Sequence, residues 1–255
     1  MPLYQALVLG IVQGITEIFP VSSSGHLILV PALLGWSSHP LAFDAALHLG
    51  TALALLAFFF RDWLNLFLSR SWKVIAWIVV ASVPAGLFGV LWGNQVENAF
   101  RGVASVAVAL VAVAVLMFLV ERIYRAASSH KGEASFGDIL LIGFAQTLAL
   151  IPGVSRSGIT ILTSMGRGLK RDRAAYFSFL ISLPVTFAAG GWELLKVWRE
   201  GMLVGQESSF AVGILTSFVV GFLAIRFLFG ILRKHSLIPF AIYRIVLGIL
   251  LLVAL

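Results

Sequence analysis

Six long apolar runs constrain this chain more than any other feature of its sequence. Each is long enough to cross a bilayer as a helix, which takes roughly 17–25 predominantly apolar residues. Only 11% of the 255 residues are charged, whereas a soluble domain carries about 25%. The sequence therefore predicts an all-α membrane protein with a single integral membrane domain, residues 1–255. The predicted spans are Phe43–Phe60, Val74–Trp92, Val103–Val120, Ala174–Trp192, Phe210–Leu232 and Pro239–Leu255.

Two further apolar regions are interrupted by polar turns. They run over residues 3–34 and 139–165, and their turns are PVSSSG at 20–25 and PGVSRS at 152–157. The apolar pieces on either side of each turn are too short to span. Irregular backbone at membrane depth survives only where it is buried in protein or lines a wet cavity. We therefore predict two re-entrant helix hairpins in addition to the six transmembrane helices.

The two broken regions are copies of one design. Gln146 follows Gln13 by 133 positions, and the same offset aligns the serines and glycines of the two turns. Each half then contains one hairpin and three spans. Because a hairpin returns to its starting face and three spans do not, the second half must lie inverted relative to the first. The predicted fold is an inverted-topology repeat, with repeat one at residues 1–125 and repeat two at 135–255.

Loop charges assign the two faces of this topology. One face carries twelve basic residues and the other carries three, so the rich face is predicted to be cytoplasmic. Both termini and the mouth of the first hairpin then lie outside, with Ser38 outside and Ser129 inside. This distribution accounts for the net charge of +7, and we expect no nucleic acid partner. The twelve are Arg61, Arg70, Lys73, Arg122, Arg125, Lys131, Arg167, Lys170, Arg171, Arg173, Arg233 and Lys234, and the three are Arg101, Lys196 and Arg199.

The first polar motif carries a carboxylate. Gln13 and Glu17 are four residues apart, which places them on one helix face just before the turn. Glu17 has three interpretations. It could ligate a divalent cation, Mg²⁺ or Ca²⁺, with Gln13 adding a neutral oxygen. It could act as a general base or orient His26. It could form a structural ion pair with Arg156.

Serines precede a predicted helix start in both turns. Serine is a preferred N-cap, so capping alone would explain them. Helix N-termini also attract phosphate, and Arg156 can bind a phosphate through two parallel hydrogen bonds. The sequence therefore predicts an oxyanion cradle made by the two facing turns. Its predicted substrate-binding residues are Ser22, Ser24, Gly25, Ser155, Ser157, Gly158 and Thr160.

Four other polar residues lie close to these motifs or within apolar runs. His26 stands beside the serines and is a candidate general base, acid or nucleophile. Asp44 and His48 are four residues apart at the start of a predicted span, and we interpret them as an N-cap and a polar pair at a helix end, with a supporting role beside the site residues as the alternative. Arg244 lies in the last predicted span, where we expect its side chain to extend toward the cytoplasmic surface.

Four motifs together resemble the undecaprenyl-diphosphate phosphatases, the bacitracin-resistance phosphatase family. They are QGITEIFPVSSSGH, GFAQTLALIPGVSRSGIT, AAYFSFLISLPV and IPFAIYRIVLG. The resemblance covers essentially the whole chain and implies a divalent-metal-dependent membrane hydrolase with Glu17, Ser23, His26 and Arg156 as catalytic residues. Many members have Glu where Gln13 stands. The nucleophile is Ser23, His26 or a metal-bound water, and the resemblance favours Ser23 or His26.

The resulting functional hypothesis is hydrolysis of a polyprenyl diphosphate. The resemblance implies that the product is the recycled lipid carrier of bacterial cell-wall synthesis and that the enzyme resides in the bacterial cytoplasmic (inner) membrane. A homodimer is one oligomeric state that the sequence leaves open. The alternative is a transporter or flippase for a phosphorylated lipid, because inverted repeats with broken helices are also a transporter architecture. An anion channel is disfavoured because no polar pore lining flanks the motifs.

Overall fold

The computed structural model describes residues 1–37, 39–200 and 205–254. These residues form eleven α-helices and one short 3-10 helix, Leu148–Leu150, with no strand among them. The all-α prediction is therefore confirmed. The helices are α1 Leu3–Ile18, α2 Ser23–Leu33, α3 Leu41–Phe58, α4 Phe60–Leu68, α5 Trp72–Phe100, α6 Val103–Ala126, α7 Phe136–Thr147, α8 Arg156–Gly166, α9 Arg171–Arg199, α10 Glu207–Leu232 and α11 Ile238–Ala254.

Five helices are long and apolar enough to cross a membrane, namely α3, α5, α6, α9 and α10. They correspond to five of the six predicted spans and make this a multi-pass membrane protein. The sixth predicted span is α11, which has 17 residues, so the exact number of spans stays a prediction. Helix α4 was not predicted, because the chain turns at Phe59 and begins a separate short helix instead of ending one long run.

The broken regions form two helix pairs, as their turns predict. Helix α1 packs against α2, and α7 packs against α8. Helices α1 and α2 have 16 and 11 residues, or about 24 and 17 Å at 1.5 Å per residue. Both are shorter than the ~30 Å hydrocarbon core of a bilayer. These lengths fit re-entrant hairpins, and their depth in the membrane stays a prediction.

The two turns have the same local geometry. Ser22 and Ser155 are the N-caps of α2 and α8, with φ of 77° and 75°. The side chain of Ser22 accepts the N–H of Gly25, and that of Ser155 accepts the N–H of Gly158. A positive φ at a residue other than glycine is uncommon and costs on the order of 1–3 kcal/mol. Its occurrence at two positions 133 residues apart supports the repeat, whose inverted orientation stays a prediction.

Glycines let the helices of the two halves interleave. Helix α1 packs on α10, and α7 packs on α5. A Cβ on Gly10 would lie 2.8 Å from Thr216 Cβ, and one on Gly143 would lie 2.8 Å from the carbonyl oxygen of Ala81. Gly10 and Gly143 are themselves 133 positions apart. The first helix of each hairpin is therefore held by a long helix of the other half.

Contacts between charged residues near the helix ends respect the two predicted faces. Arg171 donates to Glu121 at 2.6 Å, and the charge distribution assigns both to the cytoplasmic face. Arg101 lies 3.6 Å from Asp44, and both belong to the opposite face. Ser38, assigned to that opposite face, lies outside the described residues. The grouping agrees with the predicted topology, while the side on which each face lies stays a prediction.

Candidate active site

The carboxylate of Glu17 is the meeting point of three side chains. Glu17 lies in the last turn of α1, and its Oε2 is 2.5 Å from Ser23 Oγ. The same oxygen is 3.3 Å from Gln13 Nε2 and 3.3 Å from His48 Nε2. An ionised carboxylate only accepts hydrogen bonds, so the Ser23 hydroxyl donates to it. The predicted pairing of Gln13 with Glu17 on one helix face is confirmed.

His48 also belongs to this cluster, a position that the sequence interpretation gave only as its alternative. Its Nδ1 is 2.7 Å from the carbonyl oxygen of Asp44. Because a carbonyl only accepts, Nδ1 donates to Asp44, and because an ionised carboxylate also only accepts, Nε2 carries a proton toward Glu17 and the ring is an imidazolium in this ion pair. Asp44 is not the N-cap of α3, which is Pro40, and its side chain contacts His39 at 2.5 Å. The interpretation of Asp44 as an N-cap is therefore wrong, and the alternative of a supporting role beside the site fits His48.

The ring of His26 points away from Glu17. Its Nδ1 is 2.6 Å from the carbonyl oxygen of Ser22, and its Nε2 is 2.7 Å from the hydroxyl of Tyr243. The two rings are stacked, with centroids 5.7 Å apart and planes 9° apart. Since Nδ1 donates to a carbonyl, Nε2 accepts from Tyr243. The imidazole that Glu17 contacts is that of His48, so the idea that Glu17 orients His26 does not hold.

The second hairpin contributes the guanidinium of Arg156, the first residue of α8. Its Nη1 donates to the hydroxyl of Thr186 on α9. Ser157 Oγ donates to the backbone oxygen of Glu17 at 3.1 Å, which joins the two hairpins directly. Among the described ion pairs, Glu17 is paired with His48, so the hypothesis of a direct ion pair with Arg156 is wrong. Both nevertheless line one small cavity, whose walls are Glu17, Leu55, Arg156, Ser157, Ser178, Phe179 and Ser182.

Other predicted substrate-binding residues hold the turns together. Ser24 Oγ is 3.3 Å from the Oγ of Ser22, and Ser157 Oγ is 3.3 Å from the Oγ of Ser155. The N–H groups of Gly25 and Gly158 already donate to the N-cap serines, so those two groups serve the turns. The simple capping role is thus shown for both N-caps. Of the predicted set, Ser157 is the member that also lines the cavity.

Thr160 lies on α8 one turn after the arginine. Its hydroxyl donates to the carbonyl oxygen of Arg156 at 2.7 Å and lies 2.5 Å from Ser178 Oγ. Its side chain is fully buried and is not part of the cavity wall. Thr160 therefore ties the start of α8 to α9 in this structure, and its predicted contact with substrate stays a prediction.

Comparisons with known proteins identify the family of this chain. Residues 6–250 match the family model described as Bacitracin resistance protein BacA. The chain is 44% identical over 253 residues to an undecaprenyl-diphosphatase of Desulforudis audaxviator (strain MP104C), covering 96% of this chain and 95% of the relative. An undecaprenyl-diphosphatase of Moorella thermoacetica is 41% identical over 257 residues, covering 98% and 97%. The chain belongs to the BacA bacitracin resistance family. The family predicted from the motifs is confirmed.

The resemblance to this family implied a divalent cation, and the oxygen donors of the neighbouring Gln13 and Glu17 side chains fit one chemically. Gln13 Oε1 is buried without a hydrogen-bond partner, because its Nε2 faces the Glu17 carboxylate. Carboxylate and amide oxygens are ligands that Mg²⁺ and Ca²⁺ prefer. Within the described residues, no three His, Cys, Asp or Glu side chains form a metal-binding group. Such a pair fits the Mg²⁺ mode in which substrate phosphates and waters supply most ligands.

Proposed function

We propose that this chain hydrolyses undecaprenyl diphosphate to undecaprenyl phosphate and inorganic phosphate, as its relatives are named to do. The observation that carries the proposal is the 2.5 Å contact between Ser23 Oγ and Glu17 Oε2, beside a cavity that also holds Arg156. A hydroxyl against a proton acceptor is the arrangement of an activated nucleophile. A guanidinium nearby matches the phosphoryl group that such a nucleophile would attack.

Substrate binding follows from charge and geometry. Arg156 has five N–H donors and uses one on Thr186, so a pair remains for two oxygens of the terminal phosphate. Helices α2 and α8 begin at this place and direct their positive dipole ends toward it. In this protein the polyprenyl tail needs no closed pocket, because it can extend between helices into lipid.

The chemical step assigns one role to each group of the cluster. Glu17 takes the proton of Ser23 as Oγ attacks the terminal phosphorus. The bond from that phosphorus to the bridging oxygen breaks, and undecaprenyl phosphate leaves with the electron pair and the proton from Glu17. Glu17 then takes a proton from water as the water oxygen attacks the phosphorylated serine. Ser23 recovers the proton from Glu17, and inorganic phosphate leaves. Arg156 stabilises charge on the transferred group in both steps.

We propose that Gln13 and Glu17 hold a divalent cation, Mg²⁺ or Ca²⁺, when substrate is bound. Such an ion neutralises diphosphate charge and stabilises the leaving oxygen. The support is the pair of oxygens described above. His26 keeps an indirect role in this proposal, because its two nitrogens bond the turn and α11.

The proposed setting is the bacterial cytoplasmic membrane, with both termini outside and the basic loops in the cytoplasm. Hydrolysis there would recycle the lipid carrier of cell-wall synthesis and confer bacitracin resistance. A homodimer stays a prediction, and so do the repeat bounds. Carriage of the lipid without hydrolysis gains no support, because the relatives are named as diphosphatases.

The test is phosphate release from undecaprenyl diphosphate by protein purified in detergent. We expect Ser23→Ala to lower turnover at least about a thousandfold and to lose the phosphorylated enzyme seen after a rapid acid quench with labelled substrate. Ser69→Ala, at the exposed end of α4, is the matched control and should behave as wild type. Wild-type protein without phosphate release would overturn the proposal. A Ser23→Ala variant with full turnover would refute the serine nucleophile alone.

A further inference from the structure

Arg244 on α11 is fully buried, which contradicts the expectation that it extends toward the membrane surface. Among the described residues, its guanidinium donates only to backbone carbonyl oxygens. Nε donates to Leu110 at 3.2 Å, and Nη2 donates to Ala109 at 3.4 Å, so the group is seated on α6. The remaining bonds go to the two hairpin turns. Arg244 therefore joins three separate parts of the chain at one point.

The bonds to the turns obey the internal repeat. Nη1 donates to the carbonyl oxygen of Pro20 at 3.1 Å, and Nη2 donates to that of Gly153 at 2.7 Å. Pro20 and Gly153 are 133 positions apart, so they are equivalent positions in the two copies. Nη2 also lies 3.2 Å from the oxygen of Val154, the residue just before the N-cap Ser155. One planar fork thus bridges the same carbonyl of both turns.

The bridge made by Arg244 lies close in sequence to both Ser23 and Arg156, so it affects their separation. The N-cap serines follow Pro20 and Gly153 by two residues, and Ser23 and Arg156 are the first helical residues after those caps. Any change in the distance between Pro20 and Gly153 therefore changes the distance between the proposed nucleophile and its phosphate-binding arginine. The two turns come from different halves of the chain, so no hydrogen bond within one turn can set that distance, and Arg244 acts beside the bond from Ser157 to the backbone of Glu17.

We propose that Arg244 is a positioning residue that sets the separation of the two half-sites through its bidentate geometry. The expected effect on turnover rests on the proposed function, whereas the expected effect on the separation of the two turns does not. Lysine keeps the positive charge but presents a single ammonium without a fixed fork, so it cannot hold both carbonyls in one plane. A misplacement of about 1 Å at a catalytic site can cost about a hundredfold in rate. We therefore expect kcat to fall while KM changes little.

The experiment compares wild type with Arg244→Lys, and with Arg226→Lys as a matched control. Arg226 is an exposed arginine within the apolar α10, so the control makes the same change in a similar run. The chain has no cysteine, which allows a spin-label pair at Ile15→Cys and Leu148→Cys. These positions are 133 apart, both are exposed, and each lies on the helix that leads into its turn.

We expect Arg244→Lys to lower kcat about tenfold to a hundredfold, with KM within about threefold, and to broaden the spin-label distance distribution. Arg226→Lys should match wild type in all three measurements.

Three results would overturn the proposal. Wild-type kcat in Arg244→Lys would do so, as would a lowered kcat with an unchanged distance distribution. If Arg244→Lys fails to fold, Arg244→Gln is compared with wild type in the same way. The third overturning result is that both Arg244 variants fail to fold while Arg226→Lys folds, because Arg244 would then have a role in stability only. If wild type releases no phosphate, the proposed function fails, and the distance distributions still decide whether Arg244 sets the separation.

Discussion

Replacement of Arg156 tests the composite site most directly. Its Nη1 is held by Thr186, and the remaining donors face the cavity shared with Glu17. A hydrogen bond to a charged group contributes about 1.5–3 kcal/mol. Loss of two such bonds in Arg156→Ala therefore removes roughly 3–6 kcal/mol of transition-state stabilisation, or about 10²- to 10⁴-fold in kcat/KM. Arg156→Lys keeps one contact and should lose about 10- to 10²-fold, because the fork is missing.

The assay is phosphate release against substrate concentration, with size-exclusion profiles to confirm folding. Thr186→Val should lower kcat by about tenfold, since it leaves the guanidinium intact and removes only the hydroxyl that orients it. Arg226→Ala is the control for loss of a positive charge from an apolar helix, and it should keep wild-type kinetics. Near-wild-type kcat/KM in Arg156→Lys would refute the bidentate reasoning, because a point charge would then suffice.

Three further predictions follow from other contacts. Glu17→Gln should abolish the response of activity to added Mg²⁺, whereas Gln13→Glu should keep or strengthen that response. An unchanged Mg²⁺ titration of activity in Glu17→Gln would exclude the Glu17 carboxylate as a metal ligand. Although burial opposes ionisation, hydrogen bonds from Lys131 and the backbone of Ser135 hold the pKa of Asp138 well below its usual range. The ionised Asp138 therefore stabilises the fold above the unfolded pKa of about 4, and this stabilisation is lost as the pH falls further. We expect the melting temperature of the wild type to decrease at pH values below about 4. The decrease should be smaller in Asp138→Asn. Single cysteines at Ser37 and Ser129 should react with a membrane-impermeant reagent from opposite faces, and labelling from one face would contradict the inverted topology.

The sequence by itself determined the features that depend on neighbours along the chain. Apolar runs of sufficient length predicted the long helices, because the bilayer leaves the backbone few other ways to satisfy its hydrogen bonds. The four-residue spacing of Gln13 and Glu17 predicted their contact, since helix geometry alone fixes it. The serines of both turns predicted N-caps, and the structure has caps at Ser22 and Ser155. The family followed from the four motifs, which include both turns.

Only the tertiary structure decided which distant side chains complete the site. His48 reaches Glu17 because α3 packs against α1, and Tyr243 reaches His26 across 217 residues. Spacing along the chain carries no information about such contacts. The expectation for Arg244 was wrong for the same reason: in an isolated helix an arginine extends to water, whereas here helix α6 and the two hairpin turns offer it five carbonyl oxygens. The site is set by packing between the halves, which no single motif encodes.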